Sequence, residues 1–124
     1  MRLALPAAVL ALSAFLAFRS APCPPAEAGA RGRLFQLVKE NRTGKPLTLG
    51  ETGGWRFGRI VLDENGAPIA GGRRFACWAA PRGAGRTLLV SEEGRIYAKD
   101  TKGEAPGMWP ASDPTAKGWI ACGE

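Results

Sequence analysis

The chain has 124 residues, with 17 lysines and arginines against 11 aspartates and glutamates, and it contains no histidine. A chain of this length forms one small domain at most. The missing histidine excludes Ser-His-Asp and Cys-His catalysis, imidazole acid–base chemistry and histidine-ligated zinc. The formal net charge of +6 and the 45% hydrophobic content are typical of a basic globular protein rather than a disordered one.

Residues 1–28 have the character of an export signal. A positive charge precedes an uncharged, apolar run over residues 3–18, and a helix of that length rises about 24 Å, short of the roughly 30 Å hydrocarbon core of a bilayer. Ala26-Glu27-Ala28 then offers a small-x-small cleavage site. We therefore predict a signal peptide and an exported protein, periplasmic or extracellular. A retained membrane anchor is the alternative, and membrane contact is expected only in that case.

The three cysteines bear on both compartment and fold. Cleavage after Ala28 would remove Cys23, for which lipidation is an alternative although Pro22 before it fits that processing motif poorly. Cys77 and Cys122 would remain, and an even pair in a small exported protein predicts a disulfide. Closing a loop of about 45 residues would stabilise the fold by about 4 kcal/mol in the chain-entropy model. Two separately buried free thiols are the alternative.

A tether and a short helix are predicted to follow the leader. Residues 29–33 are rich in Ala, Gly and Arg and predict a tether to a domain over residues 34–124. Apolar residues then recur at helical spacing: Leu34, Phe35, Leu37 and Val38. This spacing predicts a helix near 32–41, ended by the Gly and Pro residues that follow.

Alternating patterns in the middle of the chain predict strands. The predicted strands cover residues 55–62, 73–80, 86–91 and 95–99. Asn65-Gly66 is a strong hairpin turn, and residues 67–72 after it predict only a weak, irregular return segment. Hairpins in series form an antiparallel meander. The predicted fold class is therefore α+β, mostly β: a short helix packed on a four- to five-stranded antiparallel sheet.

The last quarter of the chain predicts an irregular C-terminal strap. Its glycines and prolines break helices and ladders, but it contains Trp109, Trp119 and Cys122. Such apolar anchors predict a segment that lies across the sheet and is locked by Cys122. Trp109, flanked by Gly107 and Pro110, is the candidate for an exposed aromatic contact.

Several motifs of residues 53–119 form a recognisable pattern. They are Gly54-Trp-Arg-Phe57, Arg74-Phe-Ala-Cys-Trp-Ala-Ala-Pro81, the segment 85–97, Trp109-Pro-Ala-Ser-Asp-Pro114 and Gly118-Trp119. Together they resemble the β-sheet head region of bacterial pilin-like and pseudopilin-like exported proteins. The resemblance implies the fold and an exported setting, and it transfers no catalytic residue. The Gly-Phe processing site of those proteins, with a Glu near the start of the apolar helix, is absent here.

Basic residues suggest a surface for anionic ligands. The candidate residues are Arg56, Arg73, Arg74, Arg82 and Arg86. With tryptophans nearby in sequence, a cationic and aromatic surface could contact anionic glycans or extracellular nucleic acid. An arginine-rich background composition is the alternative explanation.

The carboxylate pairs predict no catalytic or metal site. Asp63-Glu64 and Glu92-Glu93 fall at predicted turns, where solvated acids are expected, whereas an acid pair for hydrolysis needs burial. We therefore predict a non-catalytic exported structural or interaction module without a cofactor and with an envelope protein as partner. A basic binder of anionic surface polymers is the alternative.

Overall fold

The computed structural model describes residues 24–69 and 74–122. One helix, α1, spans Ala28–Arg42 and follows a 3₁₀ turn at Pro25–Glu27. The strands are β1 (Gly50–Thr52), β2 (Trp55–Arg59), β3 (Ala76–Pro81), β4 (Thr87–Ser91), β5 (Ile96–Lys99) and β6 (Ile120–Ala121). A second 3₁₀ turn spans Pro114–Lys117.

Helix α1 covers one face of the sheet. Its buried residues recur at i, i+4, i+7 and i+8: Ala30, Leu34, Leu37 and Val38. This stripe confirms the predicted helix, which is longer than expected because Ala30 already belongs to the core. Residues 29–33, predicted as a tether, therefore form its first turns. The helix ends at Arg42, and Gly44 turns the chain away from it with a φ of 73°, which suits a residue without a side chain.

The six strands form one antiparallel sheet in sequence order. The predicted α+β, mostly β fold is thus confirmed, with six strands instead of four to five. Two strands were not predicted: β6 lies in the segment expected to be an irregular strap, and β1 lies before the first predicted strand. The two-residue turn Gly53-Gly54 joins β1 to β2. Both glycines have positive φ (59° and 82°), as a type I′ hairpin turn requires. The weak return segment after Gly66 forms only an isolated bridge between Leu62 and Pro68.

Both faces of the sheet are covered. The helix packs on the face that carries the inward side chains Phe57, Phe75, Cys77, Ala79, Leu88, Val90, Ile96 and Ala98. The opposite face carries Ile60, Ala76, Leu89 and Tyr97, which pack with Trp109 and Trp119 of the C-terminal segment. The predicted strap therefore crosses the face opposite the helix. Without it, that apolar face would be open to water.

The predicted bridge between Cys77 and Cys122 is wrong, because Cys77 is a free, fully buried thiol. Cys77 pairs with Val90, Val90 pairs with Ile96, and the amide of Cys122 donates to the carbonyl of Ile96. The two cysteines are thus three inter-strand steps apart, or roughly 14 Å at about 4.8 Å a step. A disulfide needs Cα atoms within about 7 Å.

The predicted signal peptide or anchor lies almost entirely outside the described residues. Residues 1–23 carry its whole apolar run. In the part of the chain that the structure describes, no helix is long and apolar enough to span a bilayer.

Candidate anion-binding cleft

A cleft of about 480 Å³ lies at the end of the sheet where β2 begins and β3 ends. Its walls come from β1, β2, the end of β3 with the residue that follows, and the turn after β5. The lining residues are Glu51, Arg56, Pro81, Arg82, Lys102 and Gly103. Three cations and one carboxylate thus meet at a shallow surface site.

Arg56 is the most firmly held of the three cations. Its Nη2 donates to the carbonyl oxygen of Gly103 at 2.7 Å, and its guanidinium lies 5.8 Å from the ring centroid of Trp78. The indole reaches this position because Gly58, its partner on β2, has no side chain. A cation over an aromatic face is attracted by the ring quadrupole. Arg56 therefore joins the turn after β5 to the sheet.

Arg82 and Lys102 are the more accessible cations. Nη2 of Arg82 lies 3.1 Å from Oε2 of Glu51, and both side chains are exposed, so solvent weakens this ion pair. Lys102 has a φ of 58°, held by its amide, which donates to the carboxylate of Asp100 at 3.0 Å. The cleft therefore offers charge for an anion, with Glu51 as an internal competitor for Arg82.

The structure separates the arginines that the sequence grouped as one anionic-ligand surface. Arg56 and Arg82 line the cleft, whereas Arg74 precedes β3 and lies at the opposite end of that strand, where its Nη1 is 3.8 Å from Oδ2 of Asp63. Arg86 forms an ion pair with Glu27 in the 3₁₀ turn before α1. Arg73 lies outside the described residues.

Arg86 forms a two-pronged ion pair with Glu27. Its Nε and Nη2 donate to the two carboxylate oxygens at 2.9 and 2.8 Å, and only 6% of the Glu27 side chain is exposed. The hydrogen bonds that Arg86 donates to the Glu27 carboxylate raise the pKa of Arg86. Removing either partner would leave a poorly hydrated charge, so Arg86 has a structural role and is not available to a ligand.

Trp109 is buried, contrary to the prediction of an exposed aromatic contact. Only 9% of the residue is exposed, and its ring meets that of Tyr97 edge to face, with centroids 6.2 Å apart. Its amide donates to the carbonyl of Leu62 at 2.8 Å. The flanking glycine and proline therefore mark a bend that turns the indole towards the sheet.

The acidic turns predicted to be separate and solvated meet around a small pocket of about 170 Å³. The pocket contains Asp63, Glu64, Glu92 and Glu93 above Tyr97 and Trp109. Asp63 is buried, and its carboxylate is satisfied there by the amides of Asn65 and Ala67, each at 2.9 Å. The carboxylate of Glu92 accepts the amide of Phe75. Within residues 24–69 and 74–122, no group of three or more acidic or cysteine side chains is placed to hold a metal ion.

Lys102 was not identified from the sequence. Its only local signal is the run Asp100-Thr-Lys-Gly103, a turn pattern that carries no information about which strand end it will meet. Sequence order alone places Lys102 46 residues from Arg56, and the meander brings them together.

No family model, no curated protein and no solved structure matches this chain.

Proposed function

We propose that this chain is an exported, non-catalytic interaction module whose partner is an envelope protein. The single observation that supports it best is the state of the sheet edges. In the described part of the chain, β1 pairs with β2 alone and β6 with β5 alone. Each edge also carries an exposed apolar side chain: Leu49 beside β1 is 39% exposed and Ile120 in β6 is 45% exposed.

Open edges of this kind can accept a strand from another chain. An edge strand presents unpaired backbone N–H and C=O groups, which proteins usually blunt with charge, proline or a cover. Addition of a partner strand supplies main-chain hydrogen bonds, and apolar neighbours add specificity. Leu49 and Ile120 lie where such a partner would make contact.

The principal buried acidic groups support the same interpretation, because they stabilise the fold. Glu27 pairs with Arg86, and Asp63 holds the loop after β2. A catalytic acid or base requires access to a substrate and a tuned pKa. These carboxylates are saturated by contacts within the chain, which favours a role in architecture.

Capture from envelope extracts tests the proposal. Wild-type protein is compared with Leu49→Lys and Ile120→Lys, which place a charge at each edge, and with Gln36→Lys, which adds the same charge on the exposed face of α1. We expect the wild type and Gln36→Lys to recover the same envelope protein and at least one edge variant to lose it. Absence of any reproducible partner, or equal capture by all four proteins, would overturn the proposal.

Binding of anionic polymers is the second candidate function, and the cleft of Arg56, Arg82 and Lys102 favours it. On duplex DNA, each cation that neutralises a phosphate contributes about 0.9 to the steepness with which the logarithm of the binding constant falls with the logarithm of salt concentration. Arg82→Gln and Lys102→Asn remove charge, and asparagine tolerates the positive φ of residue 102. Lys39→Gln, on the exposed side of the helix, is the matched control.

Retention on a sulfated glycan and on DNA is then measured across a salt series. We expect each cleft variant to reduce the salt slope by about one unit and the control to leave the slope unchanged. Equal slopes for cleft and control variants would exclude the cleft as the binding site. Retention of wild-type protein that does not depend on salt would exclude this function altogether.

A further inference from the structure

The small pocket between the two acidic turns reverses the charge of the molecule. The chain carries a formal net charge of +6, yet among the described residues the charged lining of this pocket consists of four carboxylates and one guanidinium. The carboxylates are those of Asp63, Glu64, Glu92 and Glu93, and the guanidinium is that of Arg74. This site, the acidic pocket, therefore attracts cations although the molecule as a whole favours anions.

Two of the four carboxylates are available to a ligand. Both hydrogen bonds to Asp63 go to Oδ1, and Oδ2 is held by the ion pair with Arg74. Glu92 uses Oε1 to accept a backbone amide. The side chains of Glu64 and Glu93 form no hydrogen bond or ion pair in the part of the chain that the structure describes. They are therefore the carboxylates that a cation would meet first.

Tyr97 adds an uncharged polar group to the wall of the acidic pocket. The residue is only 9% exposed, and its hydroxyl forms no hydrogen bond within residues 24–69 and 74–122. The hydroxyl is not one of the fully enclosed, unpartnered atoms of those residues, so it keeps contact with solvent. Buried hydroxyls are normally hydrogen-bonded. An open hydroxyl on a side chain that is otherwise buried therefore marks a position for a hydrogen-bond donor of a ligand.

The apolar part of the wall indicates which kind of cation fits. Within the described ranges no group of acidic or cysteine side chains is placed to hold a metal ion, and apolar surface does not suit a hydrated ion. A basic side chain, by contrast, packs an apolar stem along apolar surface and keeps its charged head in a polar environment. The apolar lining residues are Ile69, Phe75, Ala76 and Trp109.

The volume of the acidic pocket suits a short alkyl amine. A space of about 170 Å³ holds about five or six water molecules at about 30 Å³ each, and a butylammonium group has five non-hydrogen atoms. We propose that the acidic pocket binds a primary alkylammonium group. Its head lies between Glu64, Glu93 and the Tyr97 hydroxyl, which accepts one of its hydrogen bonds, and its stem lies on the apolar wall.

Arg74 is an internal competitor for this site. Its Nη1 lies 3.8 Å from Oδ2 of Asp63, which is too long for a hydrogen bond, and 52% of its side chain is exposed. Solvent weakens such a pair, so the guanidinium can give way to another cation. Arg74→Gln should therefore tighten alkylammonium binding by roughly 2- to 5-fold. Damage to the fold would not produce such a gain.

Titration of the full chain with n-butylammonium at constant ionic strength tests the site. Binding is followed by the NMR shifts of the Tyr97 ring and of the indole N–H of Trp109, with 1-butanol as the neutral isostere and potassium as a simple cation. We expect saturable shifts with n-butylammonium alone and a Kd on the order of 1 mM, as a ligand of this size allows. Equal shifts with potassium or with 1-butanol, or no saturation, would overturn the proposal.

Charge-removing variants locate the binding site. Glu64→Gln and Glu93→Gln should each weaken binding by roughly 3- to 10-fold, whereas Glu104→Gln, which removes an exposed carboxylate in the turn after β5, should leave the Kd unchanged. Equal effects of all three substitutions would exclude the acidic pocket.

Tyr97→Phe separates a ligand contact from a structural role. The Tyr97 hydroxyl has no hydrogen bond to any described residue, so its removal should weaken n-butylammonium binding by roughly 3- to 10-fold and leave Tm unchanged. An unchanged Kd, or a loss of Tm that accounts for the weaker binding, would contradict the role assigned to this hydroxyl.

The alkylammonium group has two sources, a lysine side chain of the partner or a free amine, and the first rests on the proposed function. Capture from envelope extracts with the Glu64→Gln/Glu93→Gln double variant distinguishes them. A partner lost by the double variant and displaced by n-butylammonium identifies the lysine, whereas unchanged capture with intact amine binding identifies a free amine. Amine binding without any captured partner would reject the proposed function alone, and a captured partner without amine binding would reject the acidic pocket alone.

Discussion

Substitution of Gly58 by alanine tests the packing between β2 and β3. A Cβ built on Gly58 would lie 2.3 Å from Cζ2 and 2.4 Å from Cε2 of Trp78. Ordinary carbon–carbon contact begins near 3.5 Å, so the indole must retreat by about 1.2 Å. Because Arg56 lies over the same ring, the displacement also disturbs the cation that joins the turn after β5 to the sheet.

The change in the free energy of unfolding caused by Gly58→Ala is the difference between an overpacking cost and a gain in backbone entropy. Overpacking costs about 1–3 kcal/mol, and the lower half of that range applies because Trp78 is half-buried and its ring can move outward. Alanine recovers about 0.5–1 kcal/mol of backbone entropy relative to glycine. We expect Gly58→Ala to lower the free energy of unfolding by about 1 kcal/mol and Tm by roughly 4–8 °C for a domain of this size.

Thermal unfolding followed by circular dichroism measures the shift, and the indole N–H resonance of Trp78 reports whether the ring has moved. Gly83→Ala is the control, because its Cβ would meet nothing within 4 Å. In a Trp78→Ala background the same Gly58→Ala change should become neutral or stabilising, which isolates the contact. An unchanged Tm, or an equal loss in both backgrounds, would refute the reasoning.

Three further predictions concern the helix, the buried thiol and the second 3₁₀ turn. Gly32→Ala should raise Tm by roughly 2–8 °C, because Gly32 is exposed within α1 and its Cβ would meet nothing within 4 Å; a lower Tm would contradict this. Burial raises the pKa of Cys77 to about 12, so the stability linked to this thiol is present below about pH 9 and is lost as the pH rises towards 12. Iodoacetamide at pH 8 should label Cys77 only after unfolding. Rapid labelling of the native protein would count against burial. Hydrogen bonds from Thr115 lower the pKa of Asp113. The contribution of this carboxylate to stability is therefore present above about pH 4 and is lost as the pH falls through the lower pKa of the folded state. Asp113→Asn should flatten the acid limb of a Tm–pH profile, and an unaltered limb would disprove the linkage.

Local patterning was sufficient to predict the helix and the central strands. The stripe of Leu34, Leu37 and Val38 and the alternation around Phe75 and Cys77 each depend on neighbours a few residues apart. Periodicity of this kind reports which side of an element is buried. The α+β class and a meander therefore followed from the sequence.

Strand β1 is different, because its three residues are all exposed and it has no apolar alternation to detect. Its existence depends on Gly53 and Gly54, whose positive φ angles turn the chain back beside β2. A glycine pair is also common in loops, so the sequence supports both interpretations. Only the pairing with β2 distinguishes them.

Long-range contacts explain what the sequence did not predict. The bridge between Cys77 and Cys122 was inferred from an even count of cysteines, and the count carries no distance. Trp109 was expected to be exposed because glycine and proline flank it, although the face of the sheet that carries Leu89 and Tyr97 required a cover. Lys102 reaches the cleft only because β5 ends at the same side of the sheet as β3.

The shared contact of Glu27 and Cys122 with Arg86 brings the two ends of the described fold to one corner of the molecule. One guanidinium thus ties the segment before the helix to the segment after the last strand. Loss of Arg86 would leave Glu27 as an unpaired buried charge and loosen both segments at once.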